Sequence, residues 1–328
     1  MKIRRSLVLS AVAAAVAIAL PVGSALAQAY PNKQINLIVS FPPGGDTDAL
    51  ARVFAEKLSA RVGHPVIVDN KTGASGTIGN SFVAKANPDG YTLLFTPNTM
   101  ATAPLVLKPG TGATYDPQTD FTPVILAGTQ SLFVVVNTAT GVTNLKELAA
   151  AVKAGKITNY ASPGNGSPMH ILGEMFNKSA GIKLSSVPYR GSGPAVIDVI
   201  GGQVPMMYTT LGPVAQHIAS GKLANIGVAD AKRSPLAPNA PTLAEAGFKD
   251  SEVGAWQALV GPKGMSPDIV KVLNGHMNEI IKMPDVAARM TTLALVPVGG
   301  EPVAVSRAIS SDFTRYGKII KESGIQAD

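Results

Sequence analysis

The chain of 328 residues contains no cysteine. That excludes a disulfide framework, thiolate metal sites and a lipid-modified N-terminal cysteine. No run rich in Lys and Arg occurs, so nucleic acid is not an expected partner. The four histidines, His64, His170, His217 and His276, are scattered along the chain, which argues against a metal centre. The catalytic signatures G-x-S-x-G, H-E-x-x-H and G-x-x-x-x-G-K-[ST] are missing, and no complete G-x-G-x-x-G is found. The stretch from Gly73 to Gly79 has the glycines of a phosphate loop but neither its spacing nor its Lys. Beyond the first thirty residues no apolar run approaches the roughly 20 residues needed to cross a bilayer. Repeats with a period of 20–50 residues are also absent.

What is present begins with an export signal. Lys2, Arg4 and Arg5 precede an apolar run from Leu7 to Leu20, and Ala25-Leu26-Ala27 supplies small residues for cleavage. Cleavage is expected after Ala27, with Ala29 as the alternative. Removing residues 1–27 takes three positive charges off the formal net charge of +7. The mild basicity that is left suits small anionic solutes. Residues 28–328 are enough for about two domains.

From Ile35 onward the pattern alternates between short apolar runs and amphipathic stretches. Ile35 to Phe41 reads as a buried strand closed by Pro42-Pro43-Gly44-Gly45. Leu50, Val53, Phe54 and Leu58 then mark one face of a helix that Gly63 ends. Strands follow at Val66 to Val68 and Tyr91 to Phe95, giving a β-α-β-α-β unit and hence a parallel sheet flanked by helices. After a long connection a second unit resumes. Its strands are expected near 132–136, 157–161, 185–188, 206–209 and 224–229, and a last strand near 256–260. Ser266-Pro267-Asp268 opens a helix with an N-cap, a proline at its first position and an acid in its first turn. The fold class is therefore α/β, with two lobes, each a mainly parallel sheet flanked by helices, and a ligand cleft between them. One lobe is expected to span residues 28–128 plus 250–328, the other 129–249. The crossings are expected near Leu126 to Leu132 and Ala229 to Ala255, with the C-terminal helices returning to the first lobe.

Ligands of such sheets bind beyond the carboxyl ends of the strands. Five loops at those ends are rich in Gly, Ser, Thr and Asn: 42–48, 73–77, 96–99, 162–167 and 189–193. A Gly-rich turn lets backbone N–H groups converge at a helix N-terminus, where they hold an anion without a charged side chain. One such turn is usually only a turn; five at equivalent positions are harder to dismiss. Asp48 reads as a helix N-terminal carboxylate rather than a ligand contact. Arg190 could hold a carboxylate, bridge the lobes or face solvent. His170 reads as structural and Trp256 as core.

Several segments together carry a family resemblance: YPNKQINLIVSFPPGGDTDALAR (30–52), VDNKTGASGTIG (68–79), ANPDGYTLLF (86–95), YASPGNGSPMHILGEMF (160–176), VPYRGSGPAVIDVIGGQV (187–204) and GPKGMSPDIVKVLN (261–274). The chain resembles the Bug family of periplasmic receptors, the solute-binding subunits of tripartite tricarboxylate transporters, from about Tyr30 to Ser323. The resemblance implies a two-lobed protein that closes on an organic acid. Carried over, Pro43, Gly44, Thr47, Ala74, Gly76 and Thr77 would hold a carboxylate from one lobe. Ser162, Asn165, Ser167, Tyr189 and Thr209 would face it from the other, with Asn98 and Ser131 completing the set. The family's usual acidic residue after the strand near Tyr208 is missing, and Thr209 stands there. That leaves no carboxylate at this place for an ammonium; Asp46, at a variable position of the first loop, could supply one. The expected partners are a small carboxylate and membrane transporter subunits, or, if the receptor serves sensing, a membrane histidine kinase. A periplasmic enzyme on a similar fold is the third reading. No cofactor is expected, and the working form is expected to be a monomer. N-terminal sequencing of the periplasmic protein should begin at Gln28, or else at Tyr30; a mature chain that keeps Met1 and pellets with membranes would contradict the leader.

Overall fold

The computed structural model describes residues 30–107 and 114–325. The expected leader and its cleavage positions lie outside the described residues. The first lobe opens as the periodicity requires. Ile35–Val39 forms β1, Asp46–Val62 helix α1, Val66–Asn70 β2, Thr77–Ala84 α2 and Thr92–Pro97 β3. Both β2 and β3 pair in parallel with β1. Helix α1 ends at Gly63, whose φ of 72° is the left-handed cap conformation that favours glycine. The long connection expected after β3 contains more structure than its sequence suggests: helix α3 (Thr99–Val106) and an eleven-residue strand β4 (Phe121–Ser131).

The second lobe runs through β5 (Phe133–Asn137), α4 (Leu145–Lys153), β6 (Asn159–Ser162), α5 (Pro168–Ala180), β7 (Ser185–Pro188), α6 (Ser192–Ile200), β8 (Met206–Thr209), α7 (Ala215–Ala219) and β9 (Leu223–Val228). The chain then returns through β10 (Gly254–Pro262), α8 (Pro267–Ile281), α9 (Pro284–Thr292), β11 (Val296–Pro297) and α10 (Val303–Ser323). Two sheets result, with strand orders β11-β4-β10-β3-β1-β2 and β7-β6-β8-β5-β9. Four of the six and four of the five strands point the same way. The exceptions, β10 and β11 in one sheet and β5 in the other, pair antiparallel with their neighbours. Strands β5 and β10 each follow a crossing between lobes with no helix interposed, so neither has the right-handed crossover that forces parallel pairing.

Where the lobes join, three backbones meet. Only Leu132 separates β4 in the first sheet from β5 in the second. Its carbonyl accepts from the Ala229 N–H at 2.8 Å, and the Ala229 carbonyl accepts from the Val253 N–H at 3.0 Å. Helices α8 and α9 cover the first sheet, burying Leu273, Met277, Ile280, Val286 and Met290. The Ser266 hydroxyl caps α8 by accepting from the Ile269 N–H. Helix α10 does not pack on the first lobe alone. Val305 and Ile309 enter the first lobe's core, whereas Tyr316 and Ile320 enter the core of the second.

A buried carboxylate fastens α10 in place. Asp312 Oδ2 accepts from Asn98 Nδ2 at 3.0 Å and from the indole N–H of Trp256 at 2.9 Å. Burial pushes this carboxyl up, and the two hydrogen bonds only partly offset it. Trp256 is the sole tryptophan and is buried, so it also reports on this junction. Asp312→Ala should lower the unfolding free energy by about 2 kcal/mol, because two buried donors lose an ionised acceptor. Chemical denaturation followed by tryptophan fluorescence checks this, and the native emission maximum should move as well.

Candidate ligand-binding site

The first loop is shaped before any ligand is considered. Gly44 has a φ of +88°, which the turn into α1 requires. Its N–H donates to Asp48 Oδ2 at 3.0 Å. The same carboxylate accepts from Arg52 at 2.9 Å and from Asn70 Nδ2 at 2.9 Å, and Asn70 also donates to the Phe41 carbonyl. Burial pushes the Asp48 carboxyl up, but the hydrogen bonds from Arg52, Gly44 and Asn70 outweigh it and hold the group below its ordinary value. Asp48 therefore braces the loop from behind.

The braced loop forms one wall of a cavity of about 80 Å³ between the lobes. That is room for roughly five to eight water molecules. Phe41, Pro42, Pro43, Asp46 and Thr47 line the first-lobe wall, together with Thr99, Gln130 and Gln257. Ser167, Met169, Arg190, Ser192 and Thr210 line the opposite wall. Three helices begin at the cavity: α1 with Asp46, α5 with Pro168 and α6 with Ser192. The dipoles of the three helices add positive potential, so the cavity is suited to an anion, although Pro168 and Pro194 bring no N–H and the His170 N–H is already taken by Ser167. Thr47 Oγ1 donates to Gln257 Oε1 at 3.2 Å, and the Gln257 Nε2 has no partner among the described residues. Ser167 Oγ caps α5 by accepting from the His170 N–H at 3.2 Å, which keeps its hydroxyl proton available.

Asp46 sits where the walls meet. Its Oδ2 accepts from Thr210 Oγ1 at 2.5 Å and from Gln130 Nε2 at 3.4 Å. Burial pushes the Asp46 carboxyl up, with the Thr210 and Gln130 hydrogen bonds acting in the other direction.

Of the positions expected from sequence, Pro43, Thr47 and Ser167 line this cavity. Ala74, Gly76 and Tyr189 line a second cavity of about 410 Å³ that shares Phe41, Pro42, Pro163, Arg190 and Gly191 with the first. Gly44, Thr77, Asn98, Ser131, Ser162, Asn165 and Thr209 line neither. Thr77 Oγ1 donates to the Ala74 carbonyl at 2.8 Å, Asn98 serves the Asp312 junction, and Ser131 hydrogen-bonds Asp230 beside the crossing. Ser162 Oγ accepts from Ser186 Oγ, and Tyr189 donates to Asp198 at 2.7 Å. Thr209 is the last residue of β8 and is buried; Thr210, one position on, reaches the cavity. Successive side chains of an extended chain point to opposite sides, so a shift of one residue changes the wall entirely. Sequence reasoning also passed over Gln130 and Gln257. Their signal is an amide within a strand, inside an otherwise apolar run at Gln257, a residue type that is rarely buried without a purpose.

Glycine has a second use here, at contacts across the cleft. A Cβ on Gly166 would come within 2.6 Å of Val106 Cγ2 and 3.1 Å of Ala103 Cα, and one on Gly164 within 3.1 Å of Ser75 Oγ. The Gly166 carbonyl accepts from Thr102 Oγ1 of α3. The loop from Ser162 to Ser167 thus docks on the first lobe almost backbone to backbone.

Comparison with known proteins agrees with this architecture. Residues 50–325 match the model of the tripartite tricarboxylate transporter family receptors. The chain belongs to this receptor family. Protein BugT of Bordetella pertussis is 36% identical over 301 residues, covering 91% of each chain. Among solved structures similar to this receptor is the periplasmic binding protein BugD, with a TM-score of 0.84 and 33% identity over 91% of this chain and all of the other. An R. palustris protein solved with adipate superposes with a TM-score of 0.85 at 31% identity, covering 90% of this chain and 99% of its own. Members of the family are periplasmic solute-binding proteins, and this receptor is not an enzyme.

Gly166→Ala adds a methyl group both to a left-handed backbone, φ +72°, and to the inter-lobe contact. It should weaken solute binding about tenfold, equivalent to about 1.4 kcal/mol. Calorimetric titration measures the affinity, and small-angle scattering should show less compaction on adding solute than in the parent.

Proposed function

We propose that this receptor captures a small organic acid in the periplasm and delivers it to the membrane subunits of a tripartite tricarboxylate transporter. The observation that carries the reading is the convergence of three helix N-termini, α1, α5 and α6, on one small cavity between two lobes. A carboxylate bound there receives N–H groups, the hydroxyls of Thr47, Ser167 and Ser192, and the Gln257 amide. Each hydrogen bond to an ionised group contributes about 1.5–3 kcal/mol. Three or four of them give micromolar binding once the lost freedom of solute and lobes is subtracted. Adipate in a structural relative supports the same class of solute.

The proposed contacts are Pro43, Thr47 and Ser167, with Thr99, Ser192 and Gln257 added by the geometry. Ala74, Gly76 and Tyr189 belong to the adjoining cavity and are proposed to extend the site for a longer solute. Capture proceeds by closure, each lobe giving half of the lining. The leader expected from the sequence would bring the chain to the periplasm.

A thermal-shift panel of carboxylates, sugars and amines tests the class. Organic acids should raise the melting temperature, a solute at 100 times its dissociation constant adding about 2.7 kcal/mol. Stabilisation by sugars or carboxyl-free amines, with none by acids, would overturn the reading. Ser167→Ala should cost about 1–2 kcal/mol of affinity for the best acid.

A further inference from the structure

Three of the eight large apolar side chains exposed among the described residues belong to one surface of the first lobe: Ile67, Ile78 and Phe82, each about half exposed. Helix α2 turns Val83 into the core beside Ile38 and Leu94, so its seat on the sheet is settled from within. Ile78 and Phe82 are four residues apart and share its outward face, and Lys85 continues that face seven residues after Ile78. Ile67 stands on the edge strand β2, on the same side as Asp69 and Lys71. The Lys71 ammonium pairs with Asp69 at 3.0 Å and lies 4.5 Å from the centre of the Phe82 ring, which brings α2 and this side of β2 together. None of the three side chains enters an apolar core. Single apolar residues are ordinary on a protein surface, but an aromatic ring and two isoleucines on adjoining elements form a patch, and patches mark interaction sites.

The patch reaches the cleft. Ile78 lies over Gly73, where an added Cβ would come within 2.6 Å of Ile78 Cδ1. It also lines the second cavity, together with Ser75 of its own lobe and Tyr189 and Arg190 of the other. Whatever covers the patch therefore stands where the two lobes meet around the solute's exit. Val296, Val298 and Val303, another exposed apolar group, line neither cavity of the cleft. The rim of the patch is positive. Lys85 and Arg190 are exposed and form no ion pair among the described residues, whereas Asp69 is already matched by Lys71.

We propose that Ile67, Ile78 and Phe82 dock the membrane subunits of the transporter, and that the matching surface is apolar with an acidic rim facing Lys85 and Arg190. The proposal rests on the delivery reading above. An aromatic ring flanked by aliphatic side chains suits the centre of an interface, and charges at its edge steer the encounter. A second copy of this chain is the poorer occupant. Self-pairing of the patch would set one positive rim near another and would close the exit that delivery needs open.

Membrane subunits of the receptor's own transporter, reconstituted in nanodiscs, test this by biolayer interferometry with the mature receptor. Phe82→Gln combined with Ile67→Thr should weaken docking about tenfold. Lys85→Glu should weaken it about threefold, and that loss should shrink as salt is raised. Val303→Thr serves as the control and should dock like the parent. Calorimetry with the acid that ranks first in the thermal-shift panel should give the parent's affinity in every variant, so that the loss is one of docking alone. Parent-like docking by both the apolar double variant and Lys85→Glu would overturn the proposal and leave solute capture standing. An equal loss in Val303→Thr would overturn it as well. A parent that is a dimer by light scattering, and that the double variant turns into a monomer, would give the patch to a second copy instead. Lys85 is exposed, so its variant decides the matter even if the double variant folds poorly. If the parent binds acids but no membrane subunit, the delivery reading fails and takes this proposal with it.

Discussion

A hydrogen bond from Thr210 to Asp46 joins the end of β8 in one lobe to the start of α1 in the other. Much of the site follows from what that contact requires. Asp46 can stand in a space poor in water because it begins a helix, where the backbone dipole favours a negative group, and because two side chains donate to it. The loop that presents it is fixed from behind by Asp48, whose own charge is satisfied by Arg52, Asn70 and the Gly44 N–H. Two carboxylates two residues apart therefore have opposite settings. Hydrogen bonds dominate at Asp48 and favour its ionised form, whereas burial dominates at Asp46 and penalises it.

Much of the fold is legible in the sequence because short apolar runs alternate with amphipathic stretches and are punctuated by Gly and Pro. The helix opening at Ser266-Pro267 and the turn at Pro42 to Gly45 lie where local chemistry requires them. Strand β4 and helix α3 were harder to read. Residues 121–131 mix Thr, Pro, Gly and Gln among apolar residues, and their strand conformation comes from pairing with β10, more than a hundred residues away. No local pattern encodes such a partner. Similarly, α3 contains Pro104 inside its last turns, a residue that ordinarily argues against a helix.

The site was legible by region and less so by residue. Loops at the strand ends supply part of the cavity lining and the 162–167 contact with the other lobe, yet within a loop the side chain that reaches the cavity depends on a half-turn of backbone. Thr209 and Thr210 illustrate this. Gln130 and Gln257 illustrate a different limit. They lie in strands, and a reading that looks for ligands only in loops passes over them. The glycines at 164 and 166 were read as anion-binding features, and the structure gives them a further role in the approach of the two lobes.

Helix α10 has a consequence for motion. It lodges Val305 and Ile309 in one lobe and Tyr316 and Ile320 in the other, so it runs alongside the three-backbone junction as a splint. A continuous helix of 21 residues resists bending, because bending stretches its ladder of backbone hydrogen bonds. The lobes then cannot swing apart freely about Leu132 and Val253. One half of α10 rests on apolar contacts of the second lobe, whereas the Asp312 clasp ties the helix to Asn98 and Trp256. The helix thereby ties the relative placement of the two lobes, and with it the width of the cleft, to the packing of a single element.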